Sequence, residues 1–187
     1  MGYLLTSAHL GLRPWTDNDL PLALDLWGDP AVTRYLGGPF DSAAVRARLS
    51  TEIAQFQQTG LQYWPLFHHN DHVHVGCAGL RPYPAAPRTF EFGIHFRPAF
   101  WGKGLAAEAA QLVLAHAFHT LGAQAIFAGH HPQNHASRRL LTKLGFFYTH
   151  DQFYPPTGQM HPSYQLPAPV AARDLKLQSL PQTPQPR

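Results

Sequence analysis

Gly93-Ile94-His95-Phe96-Arg97-Pro98-Ala99-Phe100-Trp101-Gly102-Lys103-Gly104-Leu105-Ala106-Ala107-Glu108-Ala109 is the stretch that decides the fold of this 187-residue chain. Its first residues close a run, Thr89 to Phe96, that sets Phe90, Phe92, Ile94 and Phe96 against Glu91, Gly93 and His95, the period of a β-strand. Two glycines follow, and a helical run begins at Leu105. A strand, a glycine loop and a helix start in succession aim several unpaired N–H groups at one point, where the helix dipole favours negative charge. Glycine at 102 and 104 lets the backbone approach a phosphate with no Cβ in the way. A loop that merely needs positive φ, with Glu108 complementing the first turn of the helix, would be written the same way.

Other phosphate motifs fit less well. A Walker loop needs Gly, four residues and then Gly-Lys-Ser/Thr, an arrangement this stretch lacks. Gly102, Gly104 and Ala107 satisfy the relaxed dinucleotide pattern. That pattern also wants an acidic residue about 20 positions on, and none occurs between Ala109 and Ser137.

Periodicity changes repeatedly on both sides of this stretch, which predicts a mixed α/β domain. Upstream, His9 to Trp15 reads as a strand, and Asp17-Asn18-Asp19 caps a helix carrying Leu20, Leu24 and Trp27. Pro30 opens a short helix, and Asp41 or Ser42 caps a longer one through Val45, Leu49, Ile53 and Phe56. Tyr63 to His68 and Val73 to Leu80 form a hairpin. Downstream, Leu105 to Leu121 is helical, Ala123 to Gly129 is a buried strand, and Asn134 starts a helix that stops at Gly145. Phe146 to His150 and Met160 to Leu166 complete the strands. Residues 1–166 make one domain; 167–187, with five prolines and three glutamines, make a tail.

Trp101-Gly102-Lys103-Gly104-Leu105-Ala106 resembles the acetyl-CoA pyrophosphate loop of the GNAT (GCN5-related N-acetyltransferase) superfamily. Trp101 in the polar first position of the loop looks like the RimJ/RimL branch. Asn134-His135-Ala136-Ser137-Arg138-Arg139-Leu140-Leu141-Thr142-Lys143-Leu144-Gly145-Phe146 is similar to the second cofactor helix of that family. Leu10-Arg13-Pro14 and the glycine-containing run Val75 to Leu80 also sit where that branch has its first and third strands. The resemblance spans about residues 9 to 166. It implies a mixed, mostly antiparallel sheet of six or seven strands flanked by helices, with the fourth and fifth strands splayed.

The resemblance further implies acetyl-CoA as cosubstrate, its pantetheine paired with the backbone of Ile94 and Phe96 and its pyrophosphate on Gly102, Lys103, Gly104, Leu105 and Ala106, with Trp101 alongside. Lys103 faces either a phosphate or solvent. Asn134 either bonds the pantetheine or caps its own helix. Glu91 and His95 share a strand face about 13 Å apart, and either could take the ammonium proton; pairing with an Arg, or a satisfied place in the sheet, would equally explain them. Many family members carry a Tyr where this chain has Leu141. Ser137, one turn after Asn134, is then the candidate acid. The expected activity is N-acetylation of a peptide N-terminus or a small amine. The rival is a non-catalytic acyl-CoA-binding protein on the same fold, and a homodimer stays open.

Composition excludes several other classes. The charged fraction of 13% with 44% hydrophobic residues describes a globular chain, and a net charge of +3 is too small to argue for nucleic acid. Arg13 is the first basic residue, so no secretory leader is expected. The uncharged stretch from Ala109 to Ser137 is broken by Gln111, His116, His119 and His130, so no membrane span is expected either. One cysteine, Cys77, fits a reducing, cytoplasmic interior. His68-His69-Asn70-Asp71-His72-Val73-His74 could seat zinc through His72 and His74 with His68 or Asp71, but a solvated hairpin is the better expectation, and no metal is expected.

Overall fold

A computed structural model of the protein describes residues 2–169. Eight strands form one sheet: β1 Leu5–Thr6, β2 Leu10–Leu12, β3 Tyr63–His68, β4 His74–Pro82, β5 Thr89–Phe96, β6 Ala125–Gly129, β7 Phe147–Tyr154 and β8 Gln159–Pro167. Their order is β1-β2-β3-β4-β5-β6-β8-β7, and every neighbour is antiparallel except the pair β5 and β6. The expected six or seven strands become eight because Leu5–Thr6, too short to show a period, pairs with β2. By this count the splayed strands are β5 and β6.

The run from His9 to Trp15 stays in the sheet only as β2. Beyond it Arg13 turns to bind the Asp19 carboxylate through both guanidinium nitrogens at 2.7 Å, and the Trp15 indole N–H donates to Tyr63 O at 2.6 Å. β7 continues to Tyr154, farther than expected. All its residues are exposed, so no inward periodicity marks its extent.

Five helices pack on the sheet: α1 Leu20–Trp27, α2 Pro30–Thr33, α3 Ser42–Thr59, α4 Leu105–Ala115 and α5 His135–Lys143. Asp41 caps α3 by accepting the Ala44 N–H at 2.8 Å, and Gly60 ends it at φ 73°. The predicted helix to Leu121 is α-helical only to Ala115; a π-helical turn, His116–Thr120, finishes it. Val113 and Ala109 of α4 and Leu141 of α5 join Leu80, Phe92 and Phe96 in one core. Trp27 of α1 and Leu49 of α3 join Tyr63 and Cys77 in a second. The even-numbered side chains of β5 therefore face α4, and its odd-numbered ones face α1 and α3.

The hairpin histidines disperse. His68 meets Asp71 at 3.2 Å, and the Tyr3 hydroxyl lies 2.8 Å from His72 Nδ1. His74 is not solvated as expected. It is 3% exposed between the Trp15 and Phe67 rings, with neither ring nitrogen hydrogen-bonded among the described residues. Burial, assisted by Arg97, pushes its pKa down to about 4. The unfolded chain takes up a proton near pH 6.5 and the folded chain only near 4. Stability is therefore complete above pH 6.5 and falls as pH drops toward 4, by about 3 kcal/mol from this residue. His95, His116, His130 and His161 are shifted down by burial in the same direction. Urea unfolding at pH 7 and pH 4.5 should show the loss, and His74→Leu should make it smaller, with the other buried histidines supplying the remainder; equal stability at both values would contradict the buried neutral imidazole.

The sheet does not stop at Leu166. Pro167 pairs with Ala125, and Ala168, 5% exposed, donates its N–H to Gln124 O at 2.8 Å. The tail from 170 onward lies outside the described residues. No helix among the described residues is long and apolar enough to cross a membrane.

Candidate active site

β5 and β6 stay paired only at Thr89↔Ala125, Phe90↔Ile126 and Glu91↔Phe127. Beyond that point β5 follows β4 to Phe96 while β6 follows β8 to Gly129, so the two strands part. The Arg97 N–H donates to Val75 O at 2.9 Å. Backbone polar groups alternate sides along a strand, so odd residues of β5 bond to β4 and Phe92, Ile94 and Phe96 turn theirs into the opening. The Trp101 indole N–H donates to the Phe96 carbonyl at 2.7 Å and ties the loop to the strand end. The non-polar ring at that position thus makes a structural bond.

Among the described residues, the N–H groups of Gly102 through Ala106 have no protein acceptor. Gly102 at φ 74° and Gly104 at φ 81° provide the left-handed turns that line them up ahead of α4, and a Cβ on either would meet nothing within 4 Å. Room, free donors and the helix dipole together suit a pyrophosphate. Glu108 is used otherwise: it accepts from Ser7 Oγ at 2.7 Å and His9 N–H at 2.8 Å, fastening the β1–β2 turn to α4. Burial raises its pKa, but these bonds outweigh that and hold it below the usual carboxylate range. Lys103 is exposed with Nζ 5.4 Å from the Phe100 ring centre, and neither its side chain nor that of Leu105 lines the main cavity.

That cavity, about 440 Å³, runs from the loop residues Trp101, Gly102, Gly104 and Ala106 along β5 to Glu91. Asn134 and Ser137 of the α5 start form one wall. The Asn134 Oδ1 accepts the Ser137 N–H at 3.1 Å, so it caps α5 and leaves its amide N–H₂ free for a ligand. The Ser137 hydroxyl has no protein partner among the described residues. Leu141, where a Tyr was absent, is buried in the core. His130 and His131 also line the cavity; His130 Nε2 lies 3.4 Å from the Tyr164 hydroxyl, and the His131 ring packs against Tyr35 at a 30° tilt with centroids 4.8 Å apart.

Glu91 and His95 do face the cavity together, with different surroundings. Tyr63 pairs with Gly79 and Gly79 with Gly93, which puts Gly93 in the same row as Tyr63 and makes room there for the Tyr63 ring. A Cβ on Gly93 would lie 2.3 Å from Tyr63 Cζ. The Tyr63 hydroxyl thereby donates to Glu91 at 3.4 Å. Burial raises the Glu91 pKa, and Arg81 and the Tyr63 bond partly restrain the rise. Arg81 itself pairs with Glu52, which is fully buried and also accepts the Tyr63 N–H at 2.9 Å. At His95, Nδ1 accepts the Trp27 indole N–H at 3.3 Å and lies 3.5 Å from Cys77 Sγ. Burial and the nearby Arg48 and Arg81 keep the ring well below its usual pKa, hence neutral. An indole can only donate, so the His95 proton sits on Nε2 and that atom is a donor toward the cavity.

Tyr63, Trp27, Arg48 and Arg81 are not among the candidate site residues that the sequence suggests, where Trp27 and Tyr63 read only as helix and strand positions. Gly79 and Gly93 inside strands were the one signal, since interior strand glycines mark close approach of another group. No group of three or more His, Cys, Asp or Glu among the described residues could hold a metal ion.

A strand pair that opens beside a glycine-turned helix start is the arrangement that the resemblance in the sequence implies, and comparison with known proteins shows the family. The family model described as "Acetyltransferase (GNAT) domain" matches residues 9–147, and the chain belongs to this family. The chain is 39% identical over 142 residues to the uncharacterized N-acetyltransferase YnaD of Bacillus subtilis (strain 168), covering 75% of this chain and 81% of that one. In fold it is similar to an acetyltransferase from Agrobacterium tumefaciens str. C58, with TM-score 0.75, 23% identity and coverage of 89% and 94%. It is also similar in fold to RimL, a ribosomal L7/L12 α-N-protein acetyltransferase solved with coenzyme A, with TM-score 0.74, 16% identity and coverage of 89% and 98%. The non-catalytic alternative is set aside: the protein is an acetyltransferase.

Proposed function

We propose that this protein moves an acetyl group from acetyl-CoA to a primary amine, a peptide N-terminus or a small amine, by direct attack of the amine. The observation that carries this is the opening between β5 and β6, which brings the free backbone of Ile94, the donors of Gly102 to Ala106 and the Glu91 carboxylate into one cavity. Bound there, acetyl-CoA supplies an activated acetyl group as a thioester. Gly102, Lys103, Gly104, Leu105 and Ala106 hold the pyrophosphate through backbone N–H groups. Ile94 and Phe96 hold the pantetheine, and the Asn134 amide donates to it.

Each remaining demand of the chemistry has a group. The Ile94 N–H faces the opening and serves the oxygen on which negative charge develops. Glu91 attracts the incoming ammonium and takes its proton, directly or through water. Ser137 offers its hydroxyl to the departing thiolate. His95, with Nδ1 occupied, orients the acceptor through Nε2–H and does not take the proton. The reaction uses a cytoplasmic cosubstrate and a chain with one buried thiol, which favours a cytoplasmic setting. Thiol release, assayed with peptide N-termini, polyamines, aminoglycosides and amino acids, should depend on the amine and be highest for a peptide or small monoamine. Tight acetyl-CoA binding with no amine-dependent release would reject the proposal.

A further inference from the structure

Among the described residues that line the cavity, Arg34, Arg48 and Arg81 bring positive charge and Glu91 alone brings negative charge. Arg81 is answered by Glu52, and Glu91 is close enough to interact with its charge. Arg48 is not answered. It forms none of the ion pairs or hydrogen bonds found among the described residues, and its Nε is buried without a partner. Its guanidinium carbon lies over the Trp27 ring, 4.5 Å from the centroid. An arginine seated over an aromatic ring, with no hydrogen bond or ion pair among the described residues, suits a planar anion.

The location separates that anion from the cosubstrate's phosphates. Arg48 belongs to α3, which packs on the face of the sheet that carries Glu91, His95 and Cys77. The backbone cradle of Gly102 to Ala106 precedes α4, whose core is on the opposite face. One side of the cavity thus holds a carboxylate unmatched except by a Tyr63 hydroxyl and the shared Arg81, and a guanidinium with no ion-pair partner among the described residues. The two do not pair with each other. A ligand that satisfies both carries an ammonium and a carboxylate.

We infer that the acceptor is a carboxylate-bearing primary amine, its ammonium drawn to Glu91 and its carboxylate bound by Arg48. This rests on the acetyltransfer reading above and narrows its substrate class. The carboxylate has two sources, the α-carboxylate of a free amino acid or an acidic side chain near a peptide N-terminus. Arg48 acts on specificity and stands apart from the proton transfer.

The test compares kcat/KM for thiol release with free α-amino acids against their amides, and with Asp-initiated against Asn-initiated peptide amides. The wild type should prefer the acid in one of these pairs by about 10- to 100-fold, the pair identifying the source. In Arg48→Gln that acid-to-amide ratio should fall close to one, and Arg48→Lys should restore part of it. Calorimetry with acetyl-CoA and thermal melting of each variant separate a lost contact from a lost fold. Equal rates for acid and amide in the wild type, or a ratio unchanged in a folded Arg48→Gln, would overturn the inference and leave acetyltransfer standing. Absence of thiol release with every acid and every amide would overturn the inference, and its absence with the polyamines and aminoglycosides as well would overturn the acetyltransfer reading with it.

Discussion

Glu91→Gln is expected to lower kcat by roughly 10²-fold, the scale of a lost general base, with acetyl-CoA affinity kept. The amide fills the same space beside Tyr63 but neither attracts an ammonium nor accepts its proton. His95→Gln should cost much less, because the Trp27 indole N–H already occupies Nδ1 and leaves Nε2 carrying the proton. The pH profile gives an independent reading. Burial raises the Glu91 pKa above its ordinary value, so the acidic limb of kcat/KM should lie above the normal carboxylate range. The base must be ionised, so the rate falls as pH drops through that limb. Tyr63→Phe removes a bond that favours the ionised carboxylate and should move the limb higher still. The profile must be taken with an amine of known pKa, since free amine also increases with pH. A larger loss in His95→Gln than in Glu91→Gln would transfer the role to the imidazole. Near-normal rates in both variants would mean that solvent takes the proton and the site works by positioning.

Acetyl-CoA binding should weaken by at least about tenfold, or ~1.4 kcal/mol, in Gly104→Val. Gly104 stands at φ 81°, and a Cβ there meets nothing within 4 Å, so the damage comes from conformation and not from a collision inside the protein. A β-branched residue resists this left-handed turn by a few kcal/mol at most. It will relieve the strain by rotating the loop, and the N–H groups of Gly102 to Ala106 will no longer converge. Gly104→Ala carries a smaller penalty and should bind at an intermediate level. Calorimetry on folded variants checks both. Unchanged affinity in Gly104→Val would remove the backbone cradle from the proposal.

What the sequence determined by itself was everything that repeats locally. The two-residue period of Thr89 to Phe96 set Glu91 and His95 on one face, Gly102 and Gly104 marked the turn before a helix, and Asn134 and Gly145 bracketed another. These depend on neighbours within one turn or one pleat, so a reader of the chain can find them. The tertiary structure decided what surrounds them. Tyr63 reaches Glu91 because β3, β4 and β5 align Tyr63, Gly79 and Gly93 in one row, and a shift by one residue would send the ring to the other face. His74 turns inward because β4 starts there and Trp15 and Phe67 close over it. Trp27 and Arg48 come to His95 on helices more than forty residues earlier in the chain, with no pattern to announce them. Register and helix packing are set by contacts between distant segments, and those contacts turned two acidic-or-basic candidates on one strand into a carboxylate with a raised pKa and an imidazole held as a donor.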